Sequence, residues 1–275
     1  MTLSMTMALL GGLALFLYGM KLMGEGLEKA AGDRLKRLLE ALTRNPLMGL
    51  LVGVVFTMII QSSSATTVMV VGFVNAGLLD LMQATGVILG ANIGTTVTAW
   101  IVAGFQATAF MPLVLLIGVA MMMFLKKLKL QRIGQVVAGF GMLFVGMGMM
   151  SDAMKPLAES AEFARLMTAF SNPIMALLVG VAVTAIIQSS SASVGILEML
   201  AIQGLVPLET SLYIIMGTNI GTCVTAMLSA VGATRTAKRG ALIHLMFNVL
   251  GTLVVFILVS LLPVSIWIGH INGPA

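Results

Sequence analysis

Charged residues are scarce in this 275-residue sequence. They make up 9% of the chain, whereas 59% of its residues are hydrophobic; a soluble globular domain carries about 25% charged residues. A chain so poor in charge cannot cover a surface in contact with water, which excludes the soluble classes of protein. The first apolar run, Leu3–Met20, lacks a basic stretch before it and a small-residue cleavage site after it, so it predicts a retained membrane span.

Cysteine is almost absent as well. The single Cys223 excludes a disulfide framework. The net charge of +5 does not indicate a nucleic-acid partner, because the basic residues cluster in the loops between apolar segments. The partner that the composition does predict is the lipid bilayer, around a multi-pass membrane protein.

The sequence contains an internal repeat. Three motifs recur 127 residues later without a gap: Asn45-Pro46 as Asn172-Pro173, Gln61–Ala65 as Gln188–Ala192, and Gly90–Thr95 as Gly217–Thr222. A shared apolar composition cannot place polar identities in register over such a length. We therefore predict two homologous halves, 1–127 and 128–275.

Each half has the same order of predicted segments, and all of them are helical. A spanning helix is followed by a polar amphipathic stretch, a long uncharged run and two further spans. The predicted spans are 3–23, 82–103 and 109–125 in the first half and 133–150, 208–230 and 240–262 in the second. The amphipathic stretches are 24–44 and 151–171, and the uncharged run of the first half is Asn45–Leu79.

The Gln-Ser-Ser-Ser cluster interrupts the uncharged run. Pro46–Ile60 has 15 residues, about 22 Å as a helix, which is short of the ~30 Å hydrocarbon core. We therefore predict a re-entrant helical hairpin in each half, in which one half-helix enters, the chain breaks at Gln61–Ser64 and a second half-helix returns. The alternative is one ordinary span with serines in its middle.

The basic residues separate these alternatives. If the hairpins return, each half crosses the membrane three times, so the halves are inverted and the loops 21–44, 126–132 and 231–240 share one side. Every Lys and Arg except Lys155 and Arg165 lies in those loops, as the positive-inside rule requires. We predict six full spans, two hairpins and both termini outside, in the cell (inner) membrane.

The serine clusters predict an anion site. Broken backbone at membrane depth is tolerated where it lines a cavity, and paired interrupted segments in inverted repeats mark transporter binding sites. Each returning half-helix presents unpaired N–H groups and hydroxyls, as helix starts do for phosphate. The candidate phosphate ligands are Ser62, Ser63, Ser64, Ser189, Ser190 and Ser191. The alternative, serines that only hold packed helices together, accounts poorly for two duplicated clusters.

The duplicated Gly-x-Asn-Ile-Gly-Thr motifs predict a cation site. The oxygens of Asn92, Thr95, Asn219 and Thr222, with carbonyls freed near the glycines, suit sodium, and the two asparagines are also candidates for phosphate. The alternative is a small-residue packing face.

Two ionisable side chains stand apart from these motifs. Glu198, inside the second hairpin, is a candidate cation or proton site because an intramembrane carboxylate is a functional hypothesis by default; a cavity-facing or snorkelling glutamate is the equal alternative. For His244, near the end of the last span, we predict an interfacial structural role.

These motifs, with His244-x-x-Phe247-Asn248, resemble the type II sodium–phosphate cotransporter family over nearly the whole chain. The resemblance implies sodium-coupled uptake of inorganic phosphate, with sodium as co-substrate and no other cofactor. It also implies that Gln61, Gln188, Thr66 and Ser193 lie near sodium or substrate. The histidine pattern has no counterpart at Ile117–Met121, and no soluble regulatory domain follows the last span, so a minimal bacterial form is expected.

Several alternatives stay open at this point. The anion could be sulfate, arsenate or a dicarboxylate instead of phosphate, and the chain could form a homo-oligomer. An intramembrane serine hydrolase would use Ser62 or Ser189 with His244 as base, but two equivalent clusters, one histidine and no third orienting group argue against an enzyme. A channel would need no occluded site, so saturable sodium-dependent uptake would exclude it.

Overall fold

The computed structural model describes residues 2–31, 45–104, 109–158, 172–262, 264 and 268. These residues form ten α-helices and no strand, which confirms the all-helical prediction for this part of the chain. The helices are α1 (Leu3–Ala31), α2 (Pro46–Ile60), α3 (Ser63–Asn75), α4 (Leu81–Gly104), α5 (Met111–Phe124), α6 (Leu128–Ala158), α7 (Pro173–Ile187), α8 (Ser190–Ile202), α9 (Leu208–Ser229) and α10 (Arg235–Leu261).

Five of these helices, α1, α4, α6, α9 and α10, are long and apolar enough to cross a membrane. The other five have 13 to 15 residues. The predicted span 109–125 corresponds to α5, whose 14 residues give a helix of about 21 Å. Within the described residues, five of the six predicted spans are therefore confirmed. The chain is a multi-pass membrane protein.

Helices α1 and α6 extend beyond the predicted spans 3–23 and 133–150. In α1, Glu25 pairs with Lys21 at 3.9 Å and with Lys29 at 3.1 Å, each one helical turn away. Such pairs favour helix, so the first charged residues do not end it. The predicted amphipathic stretches therefore begin inside these two helices, and their remaining parts, 32–44 and 159–171, lie outside the described residues.

The chain breaks at the serine cluster in both halves. Helix α2 ends where Gln61 adopts a left-handed conformation (φ 59°), and α3 begins where Ser62 Oγ accepts the backbone N–H three residues ahead at 3.2 Å. Gln188 (φ 58°) and Ser189 (3.3 Å) repeat this geometry between α7 and α8. A non-glycine residue in this region costs roughly 1–2 kcal/mol, so the surrounding packing must hold the same strained break twice.

The motif glycines bring helices together backbone to backbone. A Cβ atom at Gly90 of α4 would lie 2.0 Å from the carbonyl oxygen of Leu50 in α2, and one at Gly217 of α9 would lie 2.0 Å from that of Leu177 in α7. Both α4 and α9 continue unbroken through the motif. The prediction of carbonyls freed within the motif is therefore wrong, since the glycines serve close packing.

The direction of α2 is the same as that of α4. A Cβ atom at Gly86 would lie 2.2 Å from the carbonyl oxygen of Pro46 at the start of α2, and one at Gly94 would lie 2.6 Å from that of Val54 further along it. Because both helices run the same way in contact, α3 between them must bring the chain back. Its last residue, Asn75, accepts the backbone N–H of Thr234 at 2.8 Å, immediately before α10.

Helices α1 and α6, which occupy equivalent positions in the two halves, run antiparallel. Gly12 faces Gly146, and Gly19 faces Gly139. The two contacts exchange when residue numbers are shifted by 127.

Candidate ion-binding site

A cavity of about 210 Å³ lies where α3, α4, α8 and α9 meet, and we call it the polar cavity. Its polar lining consists of Ser63, Asn92, Thr95, Thr96, Ser190, Ser191, Thr218, Asn219 and Thr222. None of its lining residues carries a charge. The cavity is smaller than the roughly 300–1,000 Å³ of pockets for drug-sized ligands, so it suits a small ion held by neutral dipoles.

The serine tips of α3 and α8 meet beside this cavity. Ser63 and Ser190, the first residues of the two helices, are buried in its wall. The caps on Ser62 and Ser189 satisfy one N–H each, and other first-turn N–H groups have no partner within the helix. Ser64 Oγ donates to the carbonyl oxygen of Gln188 at 3.4 Å, which joins the two tips. Two positive helix ends are thus directed to one place.

A second cavity, which we call the vestibule, lies on the other face of the tips. It has a volume of about 470 Å³ and contains Lys21, Glu25, Glu28, Gln61, Ser62 and Ser189 in its lining. Consecutive serines line different cavities: Ser62 faces the vestibule, whereas Ser63 faces the polar cavity. The two tips therefore form the partition between the cavities.

The glutamines before the serines differ in their surroundings. Gln61 Nε2 donates to the carbonyl oxygen of Met58 at 2.5 Å, while its buried Oε1 has no hydrogen-bond partner among the described residues. Gln188 is exposed. A bare carboxamide oxygen is a ligand that a hard cation prefers, so Gln61 has the better environment for sodium.

The threonines of the Gly-x-Asn-Ile-Gly-Thr motifs offer oxygen lone pairs. Thr95 and Thr222 both lie in the wall of the polar cavity and donate their hydroxyl hydrogens to carbonyls of their own helices at 2.8 Å. With its hydrogen so placed, a hydroxyl can act only as an acceptor towards a ligand. That property favours a cation at these two positions.

Thr66 and Ser193 lie outside the polar cavity. Thr66 is fully buried, donates to Ser62 O at 2.9 Å and accepts from Thr57 at 3.0 Å. Ser193 donates to Ser189 O at 3.0 Å and lines a separate apolar cavity. Both side chains hold the first turn behind a serine cap.

The asparagines occupy the polar cavity with different partners. Asn92 Oδ1 lies 3.3 Å from His244 Nε2, and Asn92 Nδ2 donates to Asn248 Oδ1 at 3.5 Å. No side-chain hydrogen bond joins Asn219 to another described residue. His244 is 0% exposed, so the prediction of an interfacial role is wrong. The sequence does contain a sign of this network, because His244 and Asn248 are four residues apart and therefore lie on one face of the helix.

Glu198 lies near the polar cavity but not in it. The side chain is half-buried in an apolar cavity of about 370 Å³, which shares Ala99, Trp100, Val194 and Ile215 with the polar cavity. Glu198 forms no salt bridge within the described part of the chain. Sequence reasoning missed Trp100, although it stands on α4 two turns beyond Asn92 and therefore on nearly the same face.

Comparison with known proteins identifies relatives in transport. The model of the family described as Na+/Pi-cotransporter matches twice, over residues 15–152 and 143–268. The uncharacterized protein YqeW of Bacillus subtilis is 36% identical over 241 residues, which are 87% of this chain and 78% of that protein. No solved structure matches the chain.

Two further relatives carry functional names. The putative inorganic phosphate export protein YjbB of Escherichia coli K12 is 29% identical over 255 residues, 92% of this chain but 47% of that protein. The sodium-dependent phosphate transport protein 2A of Rattus norvegicus is 41% identical over 103 residues, 36% of this chain and 16% of that protein. The chain thus spans less than half the length of either protein.

Proposed function

The chain belongs to the Na+/Pi-cotransporter family, whose members are transporters and not enzymes and use sodium as co-substrate; from this we propose that it carries inorganic phosphate into the cell together with sodium, across the inner membrane. The observation that carries the proposal is the polar cavity. Two serine-capped helix starts face it together with two asparagines and four threonines.

Phosphate binds, in this proposal, at the tips of α3 and α8. The N–H groups of the first turns and the hydroxyls of Ser63, Ser190 and Ser191 donate to its oxygens. The positive ends of both helix dipoles favour the anion. Ser62, Ser64 and Ser189 build the tips rather than the cavity wall, because they cap the helices or join them.

Sodium supplies the positive charge that the cavity lacks. A divalent phosphate moving inward meets about 2.3 kcal/mol per charge per 100 mV of inside-negative potential. Two sodium ions neutralise it, and a third makes the cycle inward-positive. We assign sodium to the acceptor oxygens of Thr95, Asn219 and Thr222 in the polar cavity, and to Gln61, with Gln188 as its counterpart, at the partition.

Glu198 is proposed as an accessory cation or proton site. Its apolar cavity adjoins the polar cavity through Trp100 and Ile215. A carboxylate there attracts cations to the region beside the polar cavity, whose lining has no positive side chain of its own.

We propose that the two halves are inverted repeats, 1–127 and 128–275, each with a re-entrant hairpin (α2–α3 and α7–α8). Two observations support this topology. The equivalent helices α1 and α6 run antiparallel. The hairpins end near opposite loops, since Asn75 bonds Thr234 beside the basic loop, whereas Gln203 donates to Ser151 at the far end of α6.

Cysteine labelling tests this topology. Single cysteines at Lys127, Arg235 and Asp152, all exposed, are labelled with a membrane-impermeant maleimide in intact cells and in opened cells. Cys223 is buried and supplies an unreactive background. We expect labelling of position 152 from outside and of 127 and 235 only after opening; labelling of 127 and 152 from the same side contradicts inversion.

Uptake into proteoliposomes tests the function. With labelled phosphate outside, we expect saturable uptake that requires an inward sodium gradient and stops when choline replaces sodium. Equal uptake in choline contradicts sodium symport. Competition by sulfate, arsenate and a dicarboxylate identifies the anion, and we expect phosphate to be preferred.

The name of the YjbB relatives raises a second candidate, phosphate export. A sodium symporter moves phosphate inward as long as the inward driving force on sodium exceeds the opposing driving force on phosphate. Export under those conditions requires transport that is not coupled to inward sodium movement. Vesicles loaded with phosphate separate the two: efflux that ignores external sodium favours export, whereas efflux slowed by inward sodium favours the symporter.

A further inference from the structure

We infer that His244 and Asn248 are positioning residues that turn the carboxamide of Asn92 so that it acts as a donor to the anion, whereas its repeat counterpart Asn219 remains free to act as a cation ligand. The inference rests on the proposed function and assigns the two equivalent asparagines to different ions.

A backbone carbonyl fixes the direction of the whole network. Asn248 Nδ2 donates to the carbonyl oxygen of His244 at 2.8 Å. A backbone carbonyl can only accept, so the nitrogen of Asn248 must point to it. The Oδ1 atom of Asn248 is then left to face Asn92, at 3.5 Å.

The orientation passes from Asn248 to Asn92 and then to His244. Because Asn248 Oδ1 can only accept, Asn92 must present its Nδ2 there, and its Oδ1 turns to His244 Nε2, at 3.3 Å. A carboxamide oxygen accepts only, so Nε2 must carry the proton. The opposite orientation of Asn92 would set its oxygen against the oxygen of Asn248, two acceptors with no hydrogen between them.

This orientation decides what Asn92 can offer to the polar cavity. Its oxygen already accepts the His244 N–H, while one of its two Nδ2 hydrogens goes to Asn248 and the other is unassigned. Asn92 lines the cavity together with Ser63 and Ser190. The remaining hydrogen therefore joins the donors that the serine tips provide for an anion.

Asn219 cannot be locked in this way. The positions equivalent to His244 and Asn248 are Ile117 and Met121, neither of which can donate or accept in a comparable bond. They lie on α5, which packs against α6, whereas α10 packs against α3, α4 and α9. Asn219 can thus turn its oxygen to a cation.

The test compares phosphate and sodium constants in proteoliposomes for three variants of one residue. In a glutamine the side-chain nitrogen reaches about where His Nε2 lies, whereas in an asparagine it stops short. We expect His244→Leu and His244→Asn to raise the phosphate KM on the order of fivefold, with a smaller change in the sodium KM. His244→Gln should keep the phosphate KM near that of the wild type.

Thr252→Val is the matched control. Thr252 lies on α10, is buried and donates to Met216 O at 3.3 Å, but it does not line the polar cavity. Losing this bond should leave the phosphate KM unchanged. If His244→Leu fails to fold, the contrast between the Gln and Asn variants carries the test alone.

The outcomes separate this inference from the proposed function. An unchanged phosphate KM in the Leu and Asn variants, a Gln variant as impaired as the Leu variant, or equal shifts in both KM values overturns the positioning role. Absence of sodium-dependent uptake by the wild-type protein overturns the proposed function, and the inference with it.

Discussion

The two halves of the molecule share their helix breaks but differ in what packs behind them. Gln61 and Gln188 have the same left-handed backbone, and Ser62 and Ser189 cap the next helix alike. Behind the first tip, Thr57 donates to Thr66 at 3.0 Å. Behind the second, the buried hydroxyl of the equivalent Thr184 has no partner among the described residues.

The helix that ends each half also packs differently. Helix α10 packs against α3, α4 and α9, so it covers the first hairpin and reaches Asn92, whereas α5 packs against α6. In the first half Phe56 is 1% exposed, while its counterpart Val183 is 37% exposed. In the proposed function, the features that both halves share suit the anion, because donors at both tips would face its oxygens. The features found in one half alone would then distinguish the other ligands of the site.

Alanine at the motif glycines should have the largest effect, and an equal one in both halves. A Cβ at Gly90 or Gly217 would lie 2.0 Å from a backbone carbonyl, so Gly90→Ala and Gly217→Ala should each cost about 3 kcal/mol or more of folding free energy by overpacking. Thermal unfolding in detergent measures this. Gly72→Ala, with no atom within 4 Å of its Cβ, is the control and should unfold no earlier than the wild type.

Removing the serine hydroxyls in the polar cavity should weaken phosphate binding equally from either half. Ser63→Ala and Ser190→Ala each strip a donor from a buried anion, at about 1–3 kcal/mol. Equilibrium binding of labelled phosphate in saturating sodium measures the loss. A large effect at one serine and none at the other would contradict the shared anion site.

Alanine at the asparagines should separate the halves. Because Asn92 donates to the anion and Asn219 offers its oxygen to sodium, Asn92→Ala should raise the phosphate KM and Asn219→Ala should raise the sodium KM. We expect each KM to rise about fivefold, which corresponds to about 1 kcal/mol for the loss of one hydrogen bond. Uptake measured over both concentrations gives the two constants. Identical shifts for the two variants would show that the asparagines are equivalent.

Substitution of the two glutamines should give the smallest difference between the halves. Gln61 has a buried oxygen without a partner among the described residues, whereas Gln188 is exposed. Gln61→Leu should therefore raise the sodium KM more than Gln188→Leu, by a factor of about 2 to 5 for one lost ligand dipole. A larger effect at Gln188 would reverse the assignment.

The sequence alone predicts the features that depend on local chemistry. The breaks at Gln61 and Gln188 are visible because polar residues interrupt apolar runs too short to span. The C-terminal end of α1 could not be predicted in this way, because ion pairs between Glu25 and its neighbours extend the helix past the apolar segment. The partnership of Asn92 with His244 is not visible either, since it depends on how α10 packs against α4.

The division of labour between neighbouring serines was also beyond the sequence. Ser62 and Ser63 are adjacent and chemically identical, yet one faces the vestibule and the other the polar cavity. Consecutive positions at a helix start point in different directions, and which cavity each one meets depends on how the neighbouring helices pack around the tips.

In the proposed function, sodium supplies the positive charge for an anion site built from neutral dipoles. Phosphate binding to the purified protein, measured in sodium and in choline at equal ionic strength, tests this. We expect phosphate affinity to fall about tenfold or more in choline and, by thermodynamic linkage, phosphate to raise sodium affinity by the same factor. Equal phosphate affinity in the two salts would contradict it.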